Sequence, residues 1–92
     1  MKISASIYSN PDKTIEDLIL ELDSCHVDYF HVDCNDDLSV FDDIKRIRKI
    51  SKTPIDLHII TDDPNKYFEL IRIHKIEVVC FQIENVIFMS CL

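Results

Sequence analysis

The 92-residue chain contains no glycine, where average usage would supply about six. Glycine provides positive-φ turns and the close backbone approach that phosphate loops need, so a Gly-rich phosphate cradle is excluded from this chain. Long apolar runs are missing too: none approaches the ~18 residues of a membrane span, and Met1-Lys2-Ile3-Ser4-Ala5-Ser6 reads as a strand start, not a signal peptide. Basic residues are few, ten against seventeen acidic, for a net charge of −7. That balance argues against nucleic acid or an anionic membrane as the main partner. Cys25, Cys34, Cys80 and Cys91 show no Cys-x-x-Cys spacing. Reduced thiols in a cytoplasmic protein are expected, and nothing supports a cysteine nucleophile.

What remains is ordinary globular material, 47% apolar and 29% charged, of a length that suits one small domain. Ile3 to Tyr8 reads as a first strand. Thr14 caps a helix with a carboxylate three residues on, and Ile15, Leu18, Ile19 and Leu22 form its apolar stripe. A second strand runs from about Val27 to Asp33, followed by a polar loop at Asn35-Asp36-Asp37. Ser39 is the expected cap of a second helix, with Asp42 at the capping-box position and Phe41, Ile44, Ile47 and Ile50 as its buried stripe. Thr53-Pro54 ends it and opens a third strand, Ile55 to Ile60. Asp63 and Pro64 are expected to cap and start a third helix with Tyr67, Phe68, Leu70 and Ile71 inward; Ile76 to Ile83 is a fourth strand.

The order is βαβαβαβ, and near-continuous apolar strands between helices predict a parallel sheet with right-handed crossovers. An open doubly wound sheet and part of a (β/α)₈ barrel both fit. In either, function gathers at the carboxyl ends of the strands, where Ser6, His31, Asp33, His58 and Glu84 all fall. Residues 1–85 form the expected domain. The apolar tail 86–92 has no cap, period or charge, and its residues leave a strand extension, a dimer contact and an abrupt stop equally open.

His31 and Asp33 are two apart on one strand and so share a face. Alone they are as consistent with a buried ion pair. His58 on the next strand tips the reading toward a divalent-metal or acid–base site, because two neutral imidazoles and a carboxylate match zinc, manganese or iron and leave coordination open. Asp33 is also a candidate general base. Asp56 shares a face with His58 and is either a supporting partner of a ligand or a turn-side polar residue. Glu84 and Ser6 carry weaker signals. His26 and His74, at helix ends, read as incidental, and Asp36, Asp37, Asp42 and Asp43 as a solvated acidic loop and helix start.

At these residues the chain resembles the N-terminal half of the ribulose-phosphate 3-epimerase family. Ile3-Ser4-Ala5-Ser6-Ile7-Tyr8-Ser9 is similar to that family's I-x-P-S-I-L-S, and His31-Val32-Asp33-Cys34-Asn35-Asp36 to H-V-D-V-M-D. Pro54-Ile55-Asp56-Leu57-His58-Ile59-Ile60 resembles P-[IL]-D-V-H-L-M, with Asp63-Pro64-Asn65-Lys66-Tyr67 following like E-P-x-x-Y, and Phe81-Gln82-Ile83-Glu84 resembles x-H-V-E. The resemblance implies half of a ribulose-phosphate-binding (β/α)₈ TIM barrel. It implies the interconversion of ribulose 5-phosphate and xylulose 5-phosphate, with one divalent metal (Zn, Mn, Fe or Co) holding an enediolate while two aspartates move the C3 proton. Carried over, His31, Asp33 and His58 are metal ligands, Asp33 is also an acid/base, and Ser6 and His58 contact the pentulose 5-phosphate.

The departures are equally specific. The family's second acid/base aspartate and its glycine-rich phosphate site belong to later strands, Asn35 and Ile60 replace two shielding methionines, and Gln82 replaces a histidine. The chain is therefore expected to be weak or inactive alone and to associate with itself through exposed half-barrel edges. The alternative is a non-catalytic half-barrel that self-associates and keeps relic metal ligands.

Overall fold

In a computed structural model, which describes residues 1–83 and 86–91, the elements follow the expected alternation. They are β1 (Ser4–Ser6), α1 (Ile15–Ser24), β2 (Tyr29–Asn35), α2 (Val40–Ile50), β3 (Ile55–Ile60), α3 (Asn65–Ile73), β4 (Val78–Ile83) and β5 (Val86–Cys91). The sheet order is β1-β2-β3-β4-β5, with the first four strands parallel. Four parallel strands alternating with helices fit half of a TIM barrel. β5 turns back antiparallel on β4, with Val78 opposite Cys91 and Ile83 opposite Val86. The tail thus adds a fifth strand to the sheet.

The two faces of the sheet differ in chemistry. Phe30, Val32 and Cys34 of β2, Ile55, Leu57 and Ile59 of β3, and Val79 and Phe81 of β4 are buried in one core. Helices supply the other side of that core: Ile19 from α1, Val40, Phe41, Ile44 and Ile47 from α2, and Tyr67 and Ile71 from α3. Alternation along the strands sends the intervening residues to the opposite face. There Ser6, His31, Asp56 and His58 are half-buried, and Asp33 is exposed.

Several local expectations shift. Ile50 and Phe68 are not in the buried stripes; Phe68 is 52% exposed and rests edge-on against Phe81. Thr14 caps α1 as expected, its Oγ1 accepting from the Asp17 amide at 3.1 Å. Ser39 does not cap α2: its backbone is already helical, and Asp37 Oδ1 accepts from the Ser39 amide at 2.9 Å. The chain enters α2 through successive three-residue turns, from Asp37 O to Val40 N and from Leu38 O to Phe41 N, which move the capping position upstream. Asp63 does not cap α3 either: Pro64 stands at the cap position without a side-chain bond, the Tyr67 amide bonds to the Pro64 carbonyl at 3.0 Å, and the Asp63 amide donates to Thr61 Oγ1 at 3.0 Å.

A chain without glycine must fill left-handed positions with other residues. His26 (φ 57°), Asp36 (φ 54°) and Lys75 (φ 52°) do so, His26 and Lys75 just after the ends of α1 and α3. An L-residue there costs about 1–2 kcal/mol, partly offset by the greater unfolded-state freedom of glycine. His26 is exposed and makes no side-chain hydrogen bond among the described residues. His26→Gly is therefore expected to stabilise the fold by about 0.5–1 kcal/mol, read as a higher urea midpoint at unchanged slope.

Candidate metal centre

The β2–β3 register builds the site. It places His31 beside Asp56 and Asp33 beside His58, so the His-x-Asp of one strand lies against the Asp-x-His of the next. Each imidazole thereby faces a carboxylate across the strand gap. A one-residue slip would send one set of side chains to the apolar core, so burial of Val32 and Leu57 fixes the pairing.

His31 is held from both ends. Its Nδ1 donates to Asp56 Oδ2 at 3.2 Å, and its Nε2 lies 2.9 Å from Asp33 Oδ1. Asp56 Oδ2 also accepts from Ser4 Oγ at 3.2 Å. Burial pushes the His31 pKa down, but the hydrogen bonds to Asp56 and Asp33 outweigh it and the net direction is up. His58 Nδ1 stands 3.5 Å from the same Asp33 oxygen, with the two imidazole centroids 6.2 Å apart.

One ligating atom from each of His31, Asp33 and His58 lies within 4.8 Å of the others, close enough for side-chain rotation to gather them around one ion. The donor set fits a divalent metal of the zinc, manganese, iron or cobalt type. The orientation fits as well: a ligating histidine commonly donates its other ring nitrogen to a carboxylate, and Asp56 receives His31 Nδ1 in that way. Asp56 thus lies within β3 and holds the His31 ring, and is not a turn residue.

Ser6 sits beside His31 in the β1–β2 register, half-buried, with its Oγ accepting from the Tyr8 amide at 3.2 Å. It neighbours the three-residue cluster without joining it. Glu84 lies outside the described residues. His26 is remote from the cluster, and His74 stacks on Phe41 with centroids 5.3 Å apart, half-buried instead of solvated.

Asp36 is the residue that sequence reasoning undervalued. It is no free loop acid: Oδ1 accepts from Thr61 Oγ1 and from Tyr67 Oη, both at 2.8 Å, and pairs with Lys66 Nζ at 2.7 Å. Lys66 first, then Tyr67 and Thr61, hold its carboxyl down at about 2. Burial pushes the Tyr67 phenol up, with Asp36 adding to it. One carboxylate therefore ties the end of β2 to the end of β3 and the start of α3, bracing the rim of the cluster. The available signal was Tyr67 itself, since a tyrosine on a buried helical stripe needs an acceptor for its hydroxyl.

A cleft of about 300 Å³ opens beside the cluster, lined by Tyr8, Asp33, Asn35, Asp37, Ser39, Val40 and Asp43. Tyr8 Oη donates to Asp43 Oδ2 at 2.8 Å across it. Such a lining offers acceptors to hydroxyl groups and repels phosphate.

A parallel α/β half-barrel with two histidines and an aspartate clustered at its carboxyl-end face defines a class: a TIM-barrel domain with a candidate divalent-metal centre. The sequence matches the model of the ribulose-phosphate 3-epimerase family over residues 2–91, and the chain belongs to that family. No curated protein and no solved structure matched it. No helix among the described residues is long and apolar enough to cross a membrane.

Proposed function

We propose that the chain is an isomerase of the epimerase type, acting on a pentulose 5-phosphate by proton transfer at C3 between the ribulose and xylulose forms. The observation that carries this reading is the convergence of His31, Asp33 and His58 within 4.8 Å at the strand ends, in a member of this family. His31, Asp33 and His58 would hold the divalent metal. When bound, it supplies positive charge to the substrate oxygen that becomes negative as the adjacent C–H bond breaks.

The remaining roles belong to the side chains. Asp33 Oδ1 faces both imidazoles, which leaves its second oxygen to take the C3 proton. Asp56 fixes the His31 ring and its tautomer, and Ser6 offers a hydroxyl to the substrate beside His31. The neighbouring cleft suits the sugar hydroxyls. Asp33 is the carboxylate that both imidazoles face, whereas Asp56 meets His31 through the ring's other nitrogen, its Oδ2 taking up His31 Nδ1 and Ser4 Oγ. Removal and return of the proton on one face is thus the expected chemistry of these residues, with inversion slower.

Proton NMR of ribulose 5-phosphate in D₂O, with the chain and added zinc or manganese, tests this. Loss of the C3 proton signal, with or without xylulose 5-phosphate, is expected, and chelation with EDTA should stop it. Neither signal from a folded, metal-loaded sample would overturn the reading and leave a non-catalytic half-barrel that retains the ligands.

A further inference from the structure

The opposite end of the sheet carries a second concentration of charge, of the other sign. Lys45, Arg48 and Lys49 of α2, Lys52 of the α2–β3 connection and Lys75 of the α3–β4 connection line one open pocket of about 570 Å³. Five of the ten lysine and arginine residues of a chain with net charge −7 thus converge on one site from three segments. Arg48 is spent internally: it pairs with Glu77 at 2.8 Å and caps the carbonyls of His74 (3.4 Å) and Lys75 (3.1 Å) at the end of α3. Lys45, Lys49, Lys52 and Lys75 are exposed and have no carboxylate within 4.0 Å among the described residues.

Helix polarity explains part of this. Cations favour the last turn of a helix, which accounts for Arg48 and Lys49. Lys52 and Lys75 lie beyond the helix ends, and Arg48 already meets the free carbonyls of α3. Clustered like charges repel, and a concave basic site focuses the field on whatever fills it. The positive field registers on His74, whose pKa is lowered by burial and then by Lys45 and Arg48. Ser51 adds a hydroxyl: its Oγ accepts from the Thr53 amide at 3.2 Å and keeps its own proton to donate.

We propose that this amino-end pocket binds a compact anion of the diphosphate class, held by Lys45, Lys49, Lys52 and Lys75. Four unpaired cations gathered on one open pocket match a small group with several negative charges. The site lies at the opposite end of the strands from His31, Asp33 and His58, so its occupancy is independent of the proposed isomerase chemistry.

The test is a titration of metal-free, isotope-labelled chain with inorganic pyrophosphate at fixed ionic strength, followed through backbone amide shifts. Saturable shifts confined to residues 45–53 and 73–77 are expected. Lys49→Ala and Lys52→Ala should each weaken binding about fivefold, the upper range for one exposed charge pair, while Lys13→Ala leaves it unchanged. ADP titrated in parallel distinguishes a diphosphate recognised alone from one carried on a nucleoside. Shifts equalled by chloride at matched ionic strength, or shifts centred on the carboxyl-end cluster, would overturn the proposal.

Discussion

Asp33→Asn is expected to weaken zinc or manganese binding by more than about 100-fold, because loss of a mere supporting partner of a ligand typically costs about 10–100-fold. Asp33 Oδ1 is the atom that both imidazoles face, at 2.9 Å from His31 Nε2 and 3.5 Å from His58 Nδ1. Asparagine keeps the shape but removes the charge that draws the cation, and it cannot take a proton from carbon. C3 exchange should fall with metal affinity. Asp56→Asn provides the graded comparison: it leaves all three ligands present and loosens His31, so a loss of about 10–100-fold is expected. Competition with a metal-sensitive dye measures both. Equal affinities in the parent chain and Asp33→Asn would show that the cluster is an ion-pair network and no metal centre.

Phe30→Ala is expected to destabilise the fold by about 3–5 kcal/mol. Phe30 is fully buried on the helix-covered face of β2, one residue before His31. Small domains have about 5–15 kcal/mol in total, with chains this short toward the lower end. The substitution therefore removes much of the stability and should move the urea midpoint far down or abolish the transition. Phe68→Ala deletes the same side chain at a position 52% exposed, where one edge contact with Phe81 remains to be lost. Its expected cost is about 0.5–1.5 kcal/mol. The contrast separates burial from aromatic content, since both substitutions remove one phenyl ring.

The strand and helix order was legible because apolar spacing carries it: Ile15, Leu18, Ile19 and Leu22 can face one side only on a helix, and Phe30, Val32 and Cys34 only on a strand. The paired His-x-Asp and Asp-x-His were legible for the same reason, since alternation puts each pair on one face. Capping was less so. Ser39 and Asp63 have the right chemistry, but the first-turn amides bond to backbone carbonyls instead, Phe41 to Leu38, Asp42 to Ser39 and Tyr67 to Pro64. Asp36 was hidden because a polar residue among Asn35, Asp36 and Asp37 looks solvated until Thr61, Lys66 and Tyr67 are brought to it from some 25 to 31 positions away. The direction of the tail strand follows from its spacing once it is taken as a strand: two positions separate it from β4, and a parallel neighbour would need a crossover of a dozen or more residues.

The sheet order has a consequence for how the molecule comes together. Each strand pairs with its neighbour in sequence, so no long loop must close before contacts form, and closure entropy grows only slowly with length. His31, Asp33, Asp56 and His58 all come from the single unit β2–α2–β3. The cluster is thus assembled by one closure event at the middle of the sheet. Fraying of β1 or β5, the two edge strands, leaves that unit paired, so ligand geometry should be among the last features lost as the chain opens.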